Sequence, residues 1–352
     1  MMEGALTLRI NRAMKLIWRT GIGLALAAAM GMLAAPAQSP ALLQPRQAQD
    51  ELRSWGDGAM AGVMRAWQED FSRAHPEVRF RDTLLGSGTG MAGIITGVSQ
   101  LSVMGRQATA NEVMGFEWVF RYKPRGFEVL TGSMATPEAS PALVVFVHRS
   151  NPLSQLSFEQ LRRLLGCCQG EGKIERWGQL GLSGAWKDKI IHAYLYDNET
   201  GTGLFLQQAL LGSADKWDWE RVREFRDIRS SERVVNSAEA QIMAAFARDP
   251  YGIAIATLHD AGNDARPVAL SERQAGPYFL PTAASVTSRD YPLARAVLLY
   301  VNAPPDKPLE PLTAEFLRFV LSPEGQAIAA RAGTFLPLPD SIAEKEREEL
   351  SH

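Results

Sequence analysis

The most informative part of the chain is residues 78–95, which read VRFRDTLLGSGTGMAGII. Val78 to Leu85 alternates between polar and apolar residues and then becomes apolar, which predicts a β-strand. The glycine-rich turn Gly86–Gly90 follows at once, and a short helix is predicted from Met91 to Ile95. This order predicts one strand–turn–helix unit.

Two other turns share this design. Gly56–Ala61 and Asp197–Gly203 each join a predicted strand to a predicted helix through glycine and small residues. A helix N-terminus offers unpaired backbone N–H groups and the positive end of the helix dipole, so it can bind an anion without a lysine. One such turn is usually an ordinary capped turn, whereas three in one chain indicate an anion site. The hydroxyl donors within these turns are Ser87, Thr89, Thr200 and Thr202.

Strands and helices alternate at short spacing along the chain. This pattern predicts an α/β protein whose mixed, mostly parallel sheets carry helices on both faces. Strands are predicted at 52–55, 78–85, 101–104, 142–148, 190–196 and 253–256. Helices are predicted at 63–74, 91–95, 158–165, 204–211, 238–248, 312–321 and 323–332, while 294–301 fits either a strand or a helix. The charged tail 341–352 is expected to be a solvated helical turn or a disordered end.

The composition suits two compact domains. The chain has 352 residues, of which 46% are hydrophobic and 22% charged, and these values exclude fibrous and disordered classes. Its formal net charge is −2, so no global basic field exists to hold nucleic acid or an anionic membrane. Any anion site must therefore be local.

The N-terminus has the pattern of a secretory signal peptide. Basic residues at 9, 12, 15 and 19 precede the apolar run Gly21–Ala35, which leads into Ala35-Pro36-Ala37. The run has about 15 residues, whereas a membrane span needs roughly 20. We expect residues 1–37 to be removed after Ala37, 38–50 to form a flexible mature N-terminus, and the protein to be periplasmic. A membrane anchor is the alternative.

Little in the sequence points to catalysis or to a cofactor. The histidines, at 75, 148, 192, 259 and 352, are dispersed and lack metal-ligand spacing. No Gly-x-Ser-x-Gly elbow or Walker loop occurs. We therefore expect no enzyme, no cofactor and no metal. The only cysteines, Cys167 and Cys168, are adjacent; they could form a vicinal disulfide in an exported chain, but two free thiols are the favoured alternative.

Several motifs resemble the PstS-like phosphate-binding proteins of ABC transporters, a branch of the type II periplasmic binding protein family. The matching segments are LGSGTG at 85–90, TGT at 200–202, PYGI at 250–253, and the C-terminal motifs SPEGQ at 322–326 and LPL at 336–338. The resemblance covers roughly residues 52–339.

The resemblance implies two α/β lobes with the ligand cleft between them. The chain would cross between the lobes twice, so that lobe I combines 51–144 with 272–340 and lobe II is 145–271. A monomer would then close by hinge motion on a small oxyanion, phosphate above all, and present it to an ABC permease and its ATPase. The resemblance implies ligand contacts at Gly58, Ala59, Ser87, Thr200, Gly201 and Thr202. The glycine-rich turn adds Gly88 and Thr89 as candidates.

Two positions depart from the family pattern. Where the family has an aspartate after the third strand, this chain has LSVMGR at 101–106, and where it has an arginine before the Ser-Gly-Thr turn, this chain has Tyr196. We expect Arg106 to supply the cation and Tyr196 to cover the pocket, while loss of the acidic acceptor leaves the choice of anion open. The alternatives are that Arg106 pairs with Glu112 or Glu117 and that Tyr196 only packs.

These features predict a periplasmic protein that captures an anion for a transporter. One alternative is a periplasmic receptor whose closed form engages a sensor instead of a permease. A second is an exported phosphoester hydrolase, which would lack a recognisable nucleophile and metal motif.

Overall fold

The computed structural model describes residues 50–136, 139–167, 172–212, 216–231, 233–259 and 261–351. The predicted signal peptide, and the predicted flexible N-terminus apart from Asp50, lie outside these residues. No described helix combines the length and the apolar character that a membrane crossing requires.

The first sheet joins strands from both ends of the described chain. Its strands are β1 (Glu51–Gly56), β2 (Arg79–Thr83), β3 (Leu101–Met104), β4 (Arg125–Thr131) and β14 (Ala296–Val301). They lie in the order β2-β1-β3-β14-β4. β1 pairs in parallel with β2 and β3, whereas β14 runs antiparallel to both β3 and β4. We call this sheet and its helices lobe I.

The second sheet uses the middle of the chain. Its strands are β5 (Val144–His148), β7 (Ala193–Tyr196), β8 (Val222–Phe225), β11 (Ile253–Ala256) and β12 (Ala265–Pro267), in the order β12-β5-β11-β7-β8. β7 pairs in parallel with β8 and β11, whereas β5 runs antiparallel to β11 and β12. We call this sheet and its helices lobe II.

The predicted α/β class with mixed sheets is confirmed, although parallel pairs do not predominate. In each sheet, two of the four described strand pairs are parallel and two are antiparallel. Antiparallel pairs arise where β14 enters the lobe I sheet from the far end of the chain and where β5 and β12 meet at one side of the lobe II sheet. The lobe limits taken from the resemblance stay a prediction.

Two short ribbons, ten α-helices and three short 3-10 helices complete the described chain. The ribbons pair β6 (Gln155–Ser157) with β13 (Ala269–Ser271), and β9 (Ile228–Ser230) with β10 (Arg233–Asn236). The helices are α1 (Ala61–Ala74), α2 (Ser87–Ile95), α3 (Ala110–Phe120), α4 (Phe158–Leu165), α5 (Gly201–Leu211), α6 (Ala238–Phe246), α7 (Ala283–Thr287), α8 (Pro311–Leu321), α9 (Pro323–Ala332) and α10 (Asp340–Ser351).

Each lobe has its own large apolar core. In lobe I, Trp67 is fully buried and its Nε1 donates to the carbonyl of Gly325 at 2.8 Å, which ties α1 to α9. In lobe II, Trp177 is fully buried and its Nε1 donates to the carbonyl of Tyr251 at 2.9 Å. Both indoles thus bury a large apolar surface while satisfying their single donor.

Several elements differ from the sequence predictions. The short strands β6, β8, β9, β10, β12 and β13 and the short helix α7 were not predicted. α2 begins at Ser87 and not at Met91, because the Gly-rich segment already takes helical conformation. β4 and α3 were not predicted at all, although Thr109 and Glu112 form a reciprocal capping box at the start of α3.

The prediction of a solvated or disordered C-terminal tail is wrong. Residues 340–351 form α10, whose buried face includes Ala343 and Leu350 in the lobe I core. Arg347 Nη1 also donates to the carbonyl of Leu321 at 2.9 Å, so the helix is held against α8. Most of its charged residues lie on the other face. They outnumber the few apolar residues, so the sequence did not indicate an amphipathic helix.

The preference for free thiols is also wrong for Cys167, which is disulfide-bonded. The other cysteine of the chain, Cys168, lies outside the described residues.

Glu346 is a buried carboxyl group on α10. Its side chain is nearly inaccessible, and its Oε2 has no hydrogen-bond partner among the described residues. Burial is the main cause that raises the pKa of Glu346 to about 7, and Glu349 and Glu128 act in the same direction. The folded protein therefore binds this proton more tightly than the unfolded chain does.

We predict that Glu346→Gln stabilises the protein more at pH 8 than at pH 5. Between the ordinary pKa of 4.5 and the folded value of about 7, the folded state keeps a proton that the unfolded chain loses. The free energy of unfolding therefore falls as pH rises through this range, and the variant should avoid about 1–2 kcal/mol of that loss. Urea unfolding at both pH values measures the difference. Glu344→Gln, at an exposed position of the same helix, is the control; an equal effect of Glu346→Gln at both pH values would contradict the prediction.

Candidate functional site

A cleft of about 890 Å³ lies between the two lobes. Its lobe I wall includes the starts of two turns, at 57–59 and 84–88, and its lobe II wall includes Tyr196 and the start of α5. Of the ten residues predicted to bind ligand, nine line this cleft: Gly58, Ala59, Ser87, Gly88, Arg106, Tyr196, Thr200, Gly201 and Thr202. Thr89 does not line it. Its hydroxyl instead donates to the carbonyl of Gly86 at 2.8 Å, within the turn.

The lobe I side of the site is the N-terminus of α2. Gly86 precedes this helix with φ 129°, a conformation that favours glycine, and its N–H donates to the carbonyl of Gly56 at 2.7 Å. That bond holds the turn after β2 against the turn after β1. Ser87 then reaches from the first helical position to Asp57, donating from Oγ to Oδ2 at 2.9 Å.

The lobe II side is the N-terminus of α5. Thr200 caps this helix: its Oγ1 accepts from the N–H of Gly203 at 3.0 Å and donates to the carbonyl of Asp197 at 2.7 Å. Gly203 has no room for a side chain, because a Cβ there would collide with the Asp197 carbonyl. Thr200 thus builds the turn and leaves Gly201 and Thr202 at the cleft surface.

The two helix N-termini face each other across the cleft. A Cβ added to Gly201 of α5 would lie 3.9 Å from Ser87 Oγ of α2. Among the hydrogen bonds of the described residues, none uses the backbone N–H groups of Ser87, Gly88, Gly201 or Thr202. First-turn N–H groups have no acceptor within their own helix, so these donors are available to an anion in the cleft.

Arg295, which the sequence analysis missed, is a buried cation of the cleft. It lies just before β14 and is 4% exposed. Its Nη2 donates to the carbonyl of Gly105 at 2.8 Å in lobe I, and its Nη1 lies 3.2 Å from Thr202 Oγ1 in lobe II. Its guanidinium also stands 5.1 Å from the ring centre of Phe205. Arg295 therefore touches both walls of the cleft.

The charge of Arg295 is incompletely compensated. No described carboxylate forms an ion pair with it, and its buried Nε has no hydrogen-bond partner. Burial lowers the pKa of Arg295 to about 10, although the nearby Asp57 and Tyr196 act in the opposite direction. The side chain thus remains a cation at neutral pH, with an unused donor inside the protein.

Asp57 is the second residue that the sequence analysis missed. It caps the short turn Gly58–Met60, accepting from the Ala59 N–H at 3.1 Å. Its other oxygen lies beside Gly105: a Cβ there would be 3.0 Å from Asp57 Oδ2 and would collide with Ser140 Oγ. There is no room for a side chain after β3, and the carboxylate enters the same space from the end of β1. The inference that the site lacks an acidic group is therefore wrong.

Arg106 lines the cleft, and both of its Nη groups are already paired, while its buried Nε has no hydrogen-bond partner among the described residues. Nη1 and Nη2 each donate to the Glu112 carboxylate at 2.8 Å, so the alternative pairing with Glu112 is the one that the structure contains. Burial acts to raise the pKa of Glu112, but hydrogen bonds from Arg106 and Thr109 outweigh it, so that pKa is lowered. Tyr196 is buried at the end of β7 and lines the cleft. Direct ligand contacts by either residue stay predictions.

The two missed residues left signals of different strength in the sequence. Asp57 stands between two glycines directly after a strand, a position that favours an N-cap and could have been included with its neighbours. Arg295 belongs to no motif, and its contact with Gly105 spans 190 residues. Only the return of β14 beside β3 brings these two residues together.

Two mixed sheets that enclose a polar cleft with opposed helix N-termini define a two-lobe solute-binding fold. Residues 43–324 match the family described as PBP superfamily domain, so the chain belongs to the PBP superfamily.

More particular likenesses point to the PstS-like branch and confirm that predicted resemblance. The phosphate-binding protein PstS of Pseudomonas aeruginosa is 28% identical over 350 residues, covering 97% of this chain and 99% of that protein. An ABC-type phosphate transport receptor from Vibrio cholerae has the same fold, with a TM-score of 0.52 and 19% identity over 82% of this chain and 100% of that one. PstS from Borrelia burgdorferi also has a TM-score of 0.52, with 17% identity over 82% of this chain and 99% of that one.

We predict that Gly105→Ala destabilises the protein by about 1–3 kcal/mol, because its methyl group would press against Ser140 Oγ and the Asp57 carboxylate. Gly62→Ala is the matched control, since a Cβ at Gly62 in α1 meets nothing within 4 Å. That variant should leave the free energy of unfolding unchanged or raise it by up to about 1 kcal/mol. Urea unfolding of both variants measures this, and equal stability of the two would show that the space beside Gly105 is not tight.

Proposed function

We propose that this protein binds a small oxyanion, phosphate, in the interlobe cleft and delivers it to an ABC transporter in the periplasm. The observation that carries the proposal is Arg295, a buried cation between the lobes with an unused Nε donor and no ion-paired carboxylate among the described residues. Burying such a charge costs free energy unless an anion compensates it. An anion bound beside Arg295 would supply that compensation.

The helix N-termini support an oxyanion as the ligand. Free N–H groups of Ser87 and Gly88 in lobe I and of Gly201 and Thr202 in lobe II can donate to oxygens that point in different directions. A tetrahedral anion offers such oxygens, and hydrogen bonds to an ionised acceptor are shorter and stronger than neutral ones. Because the donors belong to both lobes, the anion stabilises the closed arrangement over an open one.

Asp57 supports a protonated anion. A carboxylate repels an anion that carries no proton, but it accepts a hydrogen bond from one that does. Asp57 Oδ2 lies in the cleft within hydrogen-bonding distance of Ser87 Oγ, which is itself at the start of α2. Hydrogen phosphate has the proton that this arrangement needs at neutral pH, whereas sulfate does not.

The relatives support the transport role. The Pseudomonas aeruginosa relative is named a phosphate-binding protein, and the Vibrio cholerae structure is that of an ABC-type phosphate transport receptor. The signal-peptide pattern of residues 1–37 supports export to the periplasm. In this role the protein binds and releases its ligand unchanged as a monomer, without catalysing a reaction, and a permease with its ATPase receives the closed form.

We predict that Arg295→Met weakens phosphate binding at least about 100-fold, because the cleft loses a buried positive charge and the charge-assisted hydrogen bond that the unused Nε would donate. Isothermal titration of phosphate into protein freed of bound ligand by unfolding and refolding measures the effect. Arg149→Met, which removes an exposed lobe II arginine that lies beside Asp264 and outside the cleft, is the control and should bind like the wild type. A thermal unfolding curve for each variant separates loss of binding from loss of folding. Wild-type protein that takes up no oxyanion would contradict the proposed function itself.

We predict that Asp57→Asn narrows the preference for phosphate over sulfate by about 10-fold or more. The amide oxygen can still accept from the Ala59 N–H, so the turn should survive, while the repulsion of an unprotonated anion is removed. Competition of sulfate against phosphate, followed by calorimetry for wild type and variant, measures the preference. An unchanged preference would show that Asp57 does not discriminate between a protonated and an unprotonated anion.

A further inference from the structure

Helix α3 turns a large apolar surface to solvent. Trp118 is 67% exposed, and Met114 and Val119 are 42% and 43% exposed. Met114 and Trp118 are one helical turn apart and therefore adjacent on the surface. The opposite side of the helix is the one that packs, since Phe116 is fully buried and stacks near Phe120 with ring centres 4.5 Å apart. Lobe I thus folds without using the exposed face.

Basic side chains extend this apolar face. Arg121 ends α3 in a left-handed conformation with φ 69°, and its N–H still bonds to the Glu117 carbonyl at 2.9 Å. It is three residues after Trp118, so it continues the same stripe of the helix. Lys123 follows and is also exposed. Neither cation has an ion-pair partner among the described residues.

The local charge is opposite to that of the whole chain. Between residues 110 and 125 the cations are Arg121, Lys123 and Arg125, and the acids are Glu112 and Glu117. Glu112 is neutralised by the buried Arg106, which leaves Glu117 as the one acid against three cations in this segment. The chain as a whole has a formal net charge of −2. A positive patch around an exposed indole is therefore a local feature.

We propose that this face, formed by Met114, Trp118, Val119, Arg121 and Lys123, docks on the surface of an anionic phospholipid bilayer. Tryptophan favours the boundary between headgroups and acyl chains, because its ring is apolar and its N–H is polar. Unpaired Arg and Lys side chains beside it attract anionic headgroups. Association would be weak and reversible, because only a few side chains enter the interface.

Charge and size favour a bilayer over a protein partner. A stable protein interface buries about 800 Å² on each side, far more than three apolar side chains provide. A second copy of this chain, related by a two-fold axis, would place Arg121 and Lys123 against their own equivalents, and like charges would oppose the contact. The face is separate from the interlobe cleft, so the proposal does not depend on which ligand the cleft binds.

Co-sedimentation with lipid vesicles tests the proposal. The exported form of the protein is mixed with vesicles of phosphatidylglycerol and phosphatidylethanolamine, or of phosphatidylcholine alone, at low and at high salt. We expect binding to the anionic vesicles at low salt, weaker binding at high salt, and little binding to phosphatidylcholine.

Two variants and a matched control locate the contact. Trp118→Ser should lower the vesicle-bound fraction about tenfold, and so should the double variant Arg121→Gln with Lys123→Gln. Trp219→Ser removes another exposed indole, 58% accessible in lobe II, and should bind vesicles like the wild type. Phosphate titration and thermal unfolding of each variant confirm that the cleft and the fold are intact.

Three results would overturn the proposal. The first is wild-type protein that stays in the supernatant with anionic vesicles. The second is a Trp118→Ser variant that binds vesicles as well as the wild type does. The third is a wild-type dimer in sedimentation velocity that Trp118→Ser converts to a monomer, which would assign the face to a second copy.

Discussion

The arrangement of the cleft depends on one buried guanidinium. Arg295 donates to the Gly105 carbonyl of lobe I and contacts Thr202 of lobe II, so a single side chain links the strand ends of one lobe to a helix N-terminus of the other. Thr202 lies in the first turn of α5, so Arg295 also stands near the positive end of that helix dipole. A positive group and a positive helix end are unfavourable neighbours until an anion lies between them. The position of Arg295 beside this helix end therefore favours anion binding. It also makes the closed arrangement of the two lobes depend on the bound anion.

Glycine and small residues allow this approach. Gly105 leaves the space that the Asp57 carboxylate and Ser140 hydroxyl occupy, and Gly203 lets α5 start directly against the Asp197 carbonyl. Side chains at either position would separate the groups that now converge. The cleft is thus shaped by where side chains are missing as much as by the charged groups that line it.

Local chemistry made much of this fold and site predictable, and long-range contacts account for the rest. Strand–turn–helix patterns gave β1, β2 and α5, and helix-start chemistry identified Ser87, Gly201 and Thr202, because such signals lie within a few adjacent residues. α3 and β4 escaped prediction, and so did the amphipathic face of α10, whose apolar residues are few among charges. Arg295 could not be found from spacing, because its role depends on β14 pairing with β3 from the other end of the chain.

Arg106 has a positioning role, because it directly follows Gly105, whose carbonyl accepts a hydrogen bond from Arg295. Its bidentate pair with Glu112, together with the Glu112 capping box, ties the segment after β3 to the start of α3. The N–H of Ala108 donates to the Tyr300 hydroxyl at 2.9 Å, which fixes the same segment to β14. Gly105 lies just before these restraints, so its carbonyl is held where Arg295 can reach it. Arg106, which the sequence suggested as the ligand's cation, thus helps to orient Arg295, which lines the cleft without an ion-paired carboxylate. Arg106 holds the site in place, and Arg295 supplies its uncompensated charge.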